Sequence, residues 1–300
     1  MTLADLEKRF PTEDACKAYL VSVRWPDGVR CPRCESPKVY KVGRPWNWVC
    51  KQCTKKGYRF SPLVGTIFEN TNVPLRTWFN VIYLMCQSKK GMSALQLHRM
   101  IGTGSYRSAW YMCHRIRAAM KSDSFLKLTG TVEVDETYIG GEAKNRHRQG
   151  RKPSPFGGPA RGSWVLSGKT AVIGAIARKG NVVAKVIGNA KAATFAAFVR
   201  QTVSDKVDLI ATDEHPAYKS LSRDGYAHES VAHRRREYVR GIVHTANIDS
   251  FWSMIKRGIM GSFHQVSPGY LPLYLNEFSF RYNNRDLSNA AIFEAVIASA

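Results

Sequence analysis

Two sets of residues in this 300-residue chain are spaced for chemistry. The first is four cysteines, Cys31-Pro-Arg-Cys34 and Cys50-Lys-Gln-Cys53, two CxxC pairs separated by fifteen residues. Each pair presents two thiolates from one tight turn, and four thiolates close a tetrahedral shell around Zn(II). With cysteine at all four positions such a zinc is structural, standing in for a core that so small a segment cannot build. The second set is three aspartates. Asp135 lies inside an apolar run and is followed by Glu136; Asp213 ends another such run and is followed by Glu214; Asp249 comes after 35 intervening residues, in a helical stretch. Carboxylates collected from two strands and a helix are hard oxygen ligands, which select Mg(II) or Mn(II) over zinc. Two such ions about 4 Å apart activate an attacking oxygen and stabilise a leaving one in an in-line phosphoryl displacement.

These residues need elements to position them. TVEVDETYIG alternates as a strand does and carries Asp135. Residues 170–187 read as a hairpin around Lys179-Gly180-Asn181, residues 191–203 as a helix, and VDLIATD as a strand ending on Asp213. From Ala246 to Ile259, the side chains of Ile248, Trp252, Ile255 and Ile259 form an apolar stripe suited to docking on a sheet. Asp249, Ser253 and Lys256 fall on the adjoining face, where Lys256 could grip a phosphate beside the acids. Upstream, the chain divides into a helical lead-in (1–29), the cysteine-rich ribbon (30–73) and a helical segment (74–128), before a catalytic segment (129–300). Within 74–128, Ser93 to Ile101, a Gly-Thr-Gly turn and Tyr106 to Arg117 have the outline of a helix-turn-helix. Leu95, Leu97, Ile101, Ala109, Trp110, Met112 and Ile116 would supply its core, and Arg107, Arg115, Arg117 and Lys121 its outer, DNA-facing side. Cys16, Cys86 and Cys113 read as buried apolar residues, and residues 140–162 as a flexible basic loop.

Charge narrows the class. Lys and Arg number 45 against 23 acids, a net +22 that suits a chain tracking phosphates rather than a small-molecule enzyme. Arg234, Arg235 and Arg236 read as a phosphate-contact patch, joined by Lys256 and Arg257. The longest apolar run, near Trp78 to Cys86, is about half of what crosses a bilayer. The opening MTLADLEKRF has acids where the apolar stretch of a secretion signal would begin. CxxC pairs within a count of seven cysteines favour a metal in a reducing compartment over disulfides. The expectation is a cytoplasmic chain that binds DNA and spans no membrane. A zinc-ribbon regulator that cuts nothing would need no three acids around one fold; a nuclease that never joins strands would use the same metals and stays open.

VEVDETYIGG, TDEHPAY, HRRREYVRGIVHTANIDSFWSMIKRG and YLNEFSFRYNNR resemble bacterial insertion-sequence transposases with an N-terminal zinc ribbon and a DDE-type catalytic domain. The resemblance runs from about Phe10 to Phe293. It implies an α/β, ribonuclease-H-like mixed sheet flanked by helices, preceded by a zinc ribbon and a helix-turn-helix-like segment. It also implies Mg(II)- or Mn(II)-dependent cleavage at element ends and transfer of the 3′-hydroxyl strand into target DNA. The implied partners are double-stranded terminal repeats and target DNA, bound by a dimer or larger assembly at a bacterial nucleoid. On this resemblance Asp135 bridges both metals, Asp213 completes one site, Asp249 is the third acid, and Lys256 is the basic residue seven positions on. The chain departs from the family's H-T-N-x-x-E pattern at Ala246, for Asn, and at Asp249, for Glu. Asp is one methylene shorter: either the backbone sits closer, or metal affinity falls, or this copy is a degenerate, inactive one. Asn247 is the alternative ligand.

Overall fold

Short polar side chains start the first helices. A reciprocal Thr2–Asp5 capping box opens α1 (Leu3–Arg9), and the Thr12 hydroxyl accepts the Ala15 N–H at the start of α2 (Glu13–Arg24). The computed structural model describes residues 1–121, 126–141 and 169–300; the expected basic loop falls from residue 142 onward outside the described residues. Three antiparallel strands follow α2 in the order β1 (Val39–Lys41), β2 (Trp48–Cys50) and β3 (Tyr58–Phe60). The turn into β3 passes through Gly57 at φ +80°, where a Cβ would stand 2.8 Å from the Val49 side chain. Cys31 and Cys50 are buried among Trp48, Phe60 and Trp25, and all four CxxC sulfurs lie within 4.8 Å of one another. Cys31 and Cys53 Sγ are 3.4 Å apart, and Cys34 and Cys50 Sγ 3.7 Å. Sulfurs bound tetrahedrally at about 2.3 Å from zinc stand about 3.8 Å apart, so the cluster has the dimensions of a zinc site. Burial opposes ionisation of Cys31, but the N–H groups of Arg33 and Cys34 outweigh it and draw the thiol down to about 7.

Helices α3 (Leu75–Gln87), α4 (Ala94–Ile101) and α5 (Tyr106–Ala119) come next. Ser93 and Ser105 cap the last two, and Gly102, at φ +69°, ends α4 in the left-handed conformation. Leu97, Ala109, Met112 and Ile116 are buried between them as expected, whereas Leu95 is 43% exposed. Cys16, Cys86 and Cys113 are buried, and burial lifts the Cys16 thiol to about 11.

The second unit, residues 122–285, is built on a mixed sheet. β4 (Thr131–Ile139) pairs antiparallel with β5 (Thr170–Ala177), which turns through Lys179 and Gly180 into β6 (Val182–Val186). Helix α6 (Ala192–Thr202) leads to β7 (Leu209–Thr212), parallel to β4, and β8 (His228–Ser230) is parallel to β7. The order β6-β5-β4-β7-β8 with helices on both faces is the ribonuclease-H-like sheet that the resemblance implies. Alternation along the strands sends Val132, Val134 and Ala175 to Phe195 and Val199 of α6. Val172 and Ile176 point to the other face, against the expected stripe Ile248, Trp252 and Ile255 of α7 (Ala246–Gly258) and Leu275 and Phe278 of α8 (Leu271–Asn283). Asn283, from the FRYNNR motif, accepts the Val182 N–H at 2.8 Å and donates to the Val182 carbonyl at 3.1 Å. A side-chain amide thus occupies the outer edge of β6 as a further strand would.

The last helix, α9 (Asn289–Ala298), does not join this sheet. Residues 286–300 belong to the first unit. Phe293 packs against Phe10 and Phe79, Arg9 pairs with Glu294 at 2.7 Å, and the Ile67 N–H donates to the Ala300 carbonyl. The sequence reading carries this helix in the segment 129–300; by its contacts it groups with residues 1–121. The reason is aromatic complementarity: AAIFEAVIA is apolar nearly all round, so its period names no partner. Among the described residues no helix is long and apolar enough to cross a membrane.

Intact reduced protein is expected to carry about one zinc per chain in this site. Chelation should abolish amide-exchange protection in β1–β3 while leaving that of β4–β8 in place. A zinc content near zero, or ribbon protection indifferent to chelation, would refute the zinc assignment.

Candidate active site

Strand β4 outruns its parallel neighbour. β7 pairs only with Thr131 to Glu133, so Asp135 and Glu136 lie beyond its end, and Asp213 follows immediately after Thr212. Asp135, Glu136 and Asp213 bring carboxylate oxygens within 4.8 Å of one another. Burial, then the charges of Glu136, Asp213 and Asp249, hold Asp135 well above the ordinary carboxylate range, against the pull of a Trp252 hydrogen bond. Glu136 is raised by burial and by Asp213, with the Tyr218 hydrogen bond opposing. Burial and crowding disfavour ionisation of Asp135 and Glu136, and a hard cation would relieve them. Among the described residues the donor set fits such an ion.

The motif TDEHPAY builds one wall. The buried Thr212 hydroxyl donates to the Asp213 carbonyl and lies 2.8 Å from His228 Nε2. Asp213 Oδ1 accepts the His215 N–H at 3.0 Å, opening the 3-10 turn Pro216–Ser220. That turn delivers Tyr218, whose hydroxyl donates to Glu136 Oε2 at 2.8 Å.

The opposite wall is α7. Trp252 Nε1 donates to Asp135 Oδ2 at 2.9 Å, and the indole lies over Gly174, the β5 partner of Asp135. A Cβ on Gly174 would stand 2.6 Å from the ring, so only glycine admits the tryptophan there. Two residues along β4, the fully buried Glu133 accepts the Arg178 Nε–H at 2.8 Å. It also accepts the backbone N–H of Asn247 (2.8 Å) and of Ile248 (3.1 Å), and the Asn247 side-chain amide (2.7 Å). One strand carboxylate thereby caps the N-terminus of α7. Asn247, the alternative ligand, is engaged in that cap. Asp249 stands apart from the three-carboxylate group: it is exposed, and its Oδ2 accepts the Thr245 hydroxyl at 3.0 Å.

Residues 127–283 match the family model described as the ISXO2-like transposase domain, and residues 11–56 match that of a transposase zinc-ribbon domain. This chain belongs to the ISXO2-like transposase family. It is 31% identical over 283 residues to an uncharacterized protein in transposable element ISH50 of Halobacterium salinarum, covering 91% of this chain and 92% of that one. The crystal structure of a pre-cleavage Mos1 transpososome aligns with 99% of this chain and 96% of its own at 11% identity, but a TM-score of 0.28 is too low to carry a fold argument. Membership in this transposase family names DNA as the partner.

The transposase places its expected DNA-facing residues unequally. Arg107 is exposed on α5, and Arg234, Arg235, Arg236, Lys256 and Arg257 are exposed in the second unit. Arg117 is only 2% exposed, and Arg115 donates to the carbonyls of Glu69 and Thr66. Both belong to the packing under α5 rather than to an outer face, because the helix buries the side on which they fall. Glu133, Arg178, Gly174 and Tyr218 carry much of the site's geometry without standing out in the sequence. A buried acid inside an apolar strand was the one available signal, since it must find partners.

Replacing Glu133 with Ala leaves Arg178 and the α7 N-terminus without their shared acceptor, and is expected to destabilise the second unit by about 3–5 kcal/mol in chemical denaturation. Gly174→Ala should cost about 1–3 kcal/mol through overpacking. It should also free the Trp252 N–H, seen as loss of exchange protection of that indole proton by NMR.

Proposed function

We propose that this transposase cleaves phosphodiesters at the ends of its element and joins the released 3′-hydroxyl to target DNA, with Mg(II) or Mn(II) as cofactor. The observation that carries the reading is the convergence of Asp135, Glu136 and Asp213 at the open end of a ribonuclease-H-like sheet. Divalent ions held by such oxygens supply activation of the attacking oxygen and charge neutralisation on the leaving one. Asp135 and Asp213 are the proposed ligands. The third position has two candidates, Asp249 by motif order and Glu136 by proximity.

The remaining residues orient and hold. Trp252 fixes one oxygen of Asp135, and Tyr218 fixes one of Glu136, so neither acid needs to reorganise as charge develops. Lys256 and Arg257, exposed two turns along α7 from Asp249, hold DNA phosphates beside the acids. In the first step water adds to phosphorus at the element end and the 3′ oxygen leaves as a hydroxyl. In the second, that hydroxyl adds to a target phosphorus and a target 3′ oxygen leaves. Arg107 of the helical segment is proposed to contact repeat DNA, the ribbon to bind zinc, and a dimer or larger assembly to bring two ends together.

Asp249 standing outside the carboxylate group favours a second reading, a chain that binds DNA without cutting it. One assay separates the two: cleavage and strand transfer with terminal-repeat DNA in Mg(II) or Mn(II). Asp135→Ala and Asp213→Ala are each expected to lower cleavage at least about a thousandfold, equivalent to about 4 kcal/mol. Of Asp249→Ala and Glu136→Ala, the one with a loss of that size marks the third ligand. Wild-type protein that binds but never cleaves would sink the enzymatic reading.

A further inference from the structure

The connection between β8 and α7 exposes three large apolar side chains in the most arginine-rich stretch of the second unit's described residues. Tyr238 and Val239 are each 62% exposed and Ile242 is 66% exposed. They do not belong to a loose loop. Ala232 and Glu237 bond reciprocally, the Glu237 carboxylate accepting the Ala232 N–H and the Glu237 N–H donating to the Ala232 carbonyl. Arg240 reaches Glu229 and the Ser230 carbonyl, and a tight turn through Gly241, at φ +58°, bridges Arg240 to Val243. His233 packs its ring against Tyr238 at 5.3 Å.

The two roots of this projection stand on the candidate active site. At one, Arg234 is held to Glu214, the neighbour of Asp213, through its N–H and its guanidinium. At the other, Arg178 joins the His244 carbonyl to Glu133, two residues from Asp135. The apolar tip is therefore tied at one root to the neighbour of Asp213 and at the other, through Arg178, to the strand that carries Asp135.

Ordered, exposed apolar side chains need an occupant, and their surroundings choose it. Arg235 and Arg236 are exposed beside them, and the one acid of the tip, Glu237, is turned inward onto Ala232. A second copy of a +22 chain meets like charge there, whereas duplex DNA offers phosphates to the arginines and base faces to the apolar groups. Apolar wedges that enter a duplex part base steps in this way, at a cost of a few kcal/mol per step. We propose that Tyr238, Val239 and Ile242 form a wedge that unstacks the base pairs of the DNA end being cleaved, with Arg235 and Arg236 holding the flanking phosphates. The proposal rests on the transposase reading above and adds to it a device for opening the end.

The test uses full-length protein and terminal-repeat duplexes carrying 2-aminopurine at the terminal pairs, in fully paired form and with those pairs mismatched. Wild-type binding is expected to raise 2-aminopurine fluorescence on paired DNA. A Val239→Ser/Ile242→Ser variant, altered only at exposed positions, should bind but lose that rise. It should also cleave paired DNA about tenfold or more slowly and be restored on mismatched DNA. A rise unchanged in the variant, or a cleavage defect equal on both substrates, overturns the wedge. Lost self-association with an unchanged rise would assign the tip to a second copy and overturn it too. Should wild type raise the fluorescence but cleave neither substrate, the cleavage reading fails while the wedge stands.

Discussion

Much of the second unit hangs on one buried carboxylate. Glu133 has no exposed surface, so its charge must be met by protein groups. It is met by Arg178 from the β5–β6 turn and by the two backbone N–H groups that open α7. Strand, hairpin and helix are thereby tied at a single point. Apolar packing alone would hold α7 on the sheet, since Ile248, Trp252 and Ile255 are all buried, but such contacts tolerate sliding. A helix end bonded to a fixed carboxylate does not slide, and Trp252 is little more than a turn further on.

The acidic group itself works against folding. Asp135 is raised by burial and by the charges of Glu136, Asp213 and Asp249, and Glu136 by burial and Asp213, a repulsion that neighbours only partly offset. Trp252 and Tyr218 each donate one hydrogen bond to a specific oxygen. Those bonds fix direction more than they neutralise charge. The site is thus preorganised by neutral donors and left electrostatically unfinished, the state in which a cation gains most from binding.

Much of this was legible in the residues. Strand alternation, the 0, 4, 7, 11 stripe of α7 and the CxxC spacing all act within one element, and each shows in the sequence because its period is set locally. The mixed sheet flanked by helices followed from the family resemblance, and the ribbon from its cysteine spacing. What stayed hidden acts across elements. Arg117 and Arg115 look like outer-face cations until the packing of α5 is known. Gly174 matters only because a tryptophan 78 positions later lies on it. Glu136 reads as the neighbour of an important acid, and only the early end of β7 turns it toward Asp213.

The membership of α9 has a consequence for the order of synthesis. The first unit emerges from the ribosome first, yet its aromatic cluster of Phe10 and Phe79 waits for Phe293. Every strand of the acidic sheet is made before that helix arrives, so the second unit can close while the first is still incomplete. A product broken off before residue 286 would keep all five strands and α7 but leave the ribbon's companion helices with an uncovered apolar face. Chains that fail late in translation would therefore be marked by the half that was made earliest.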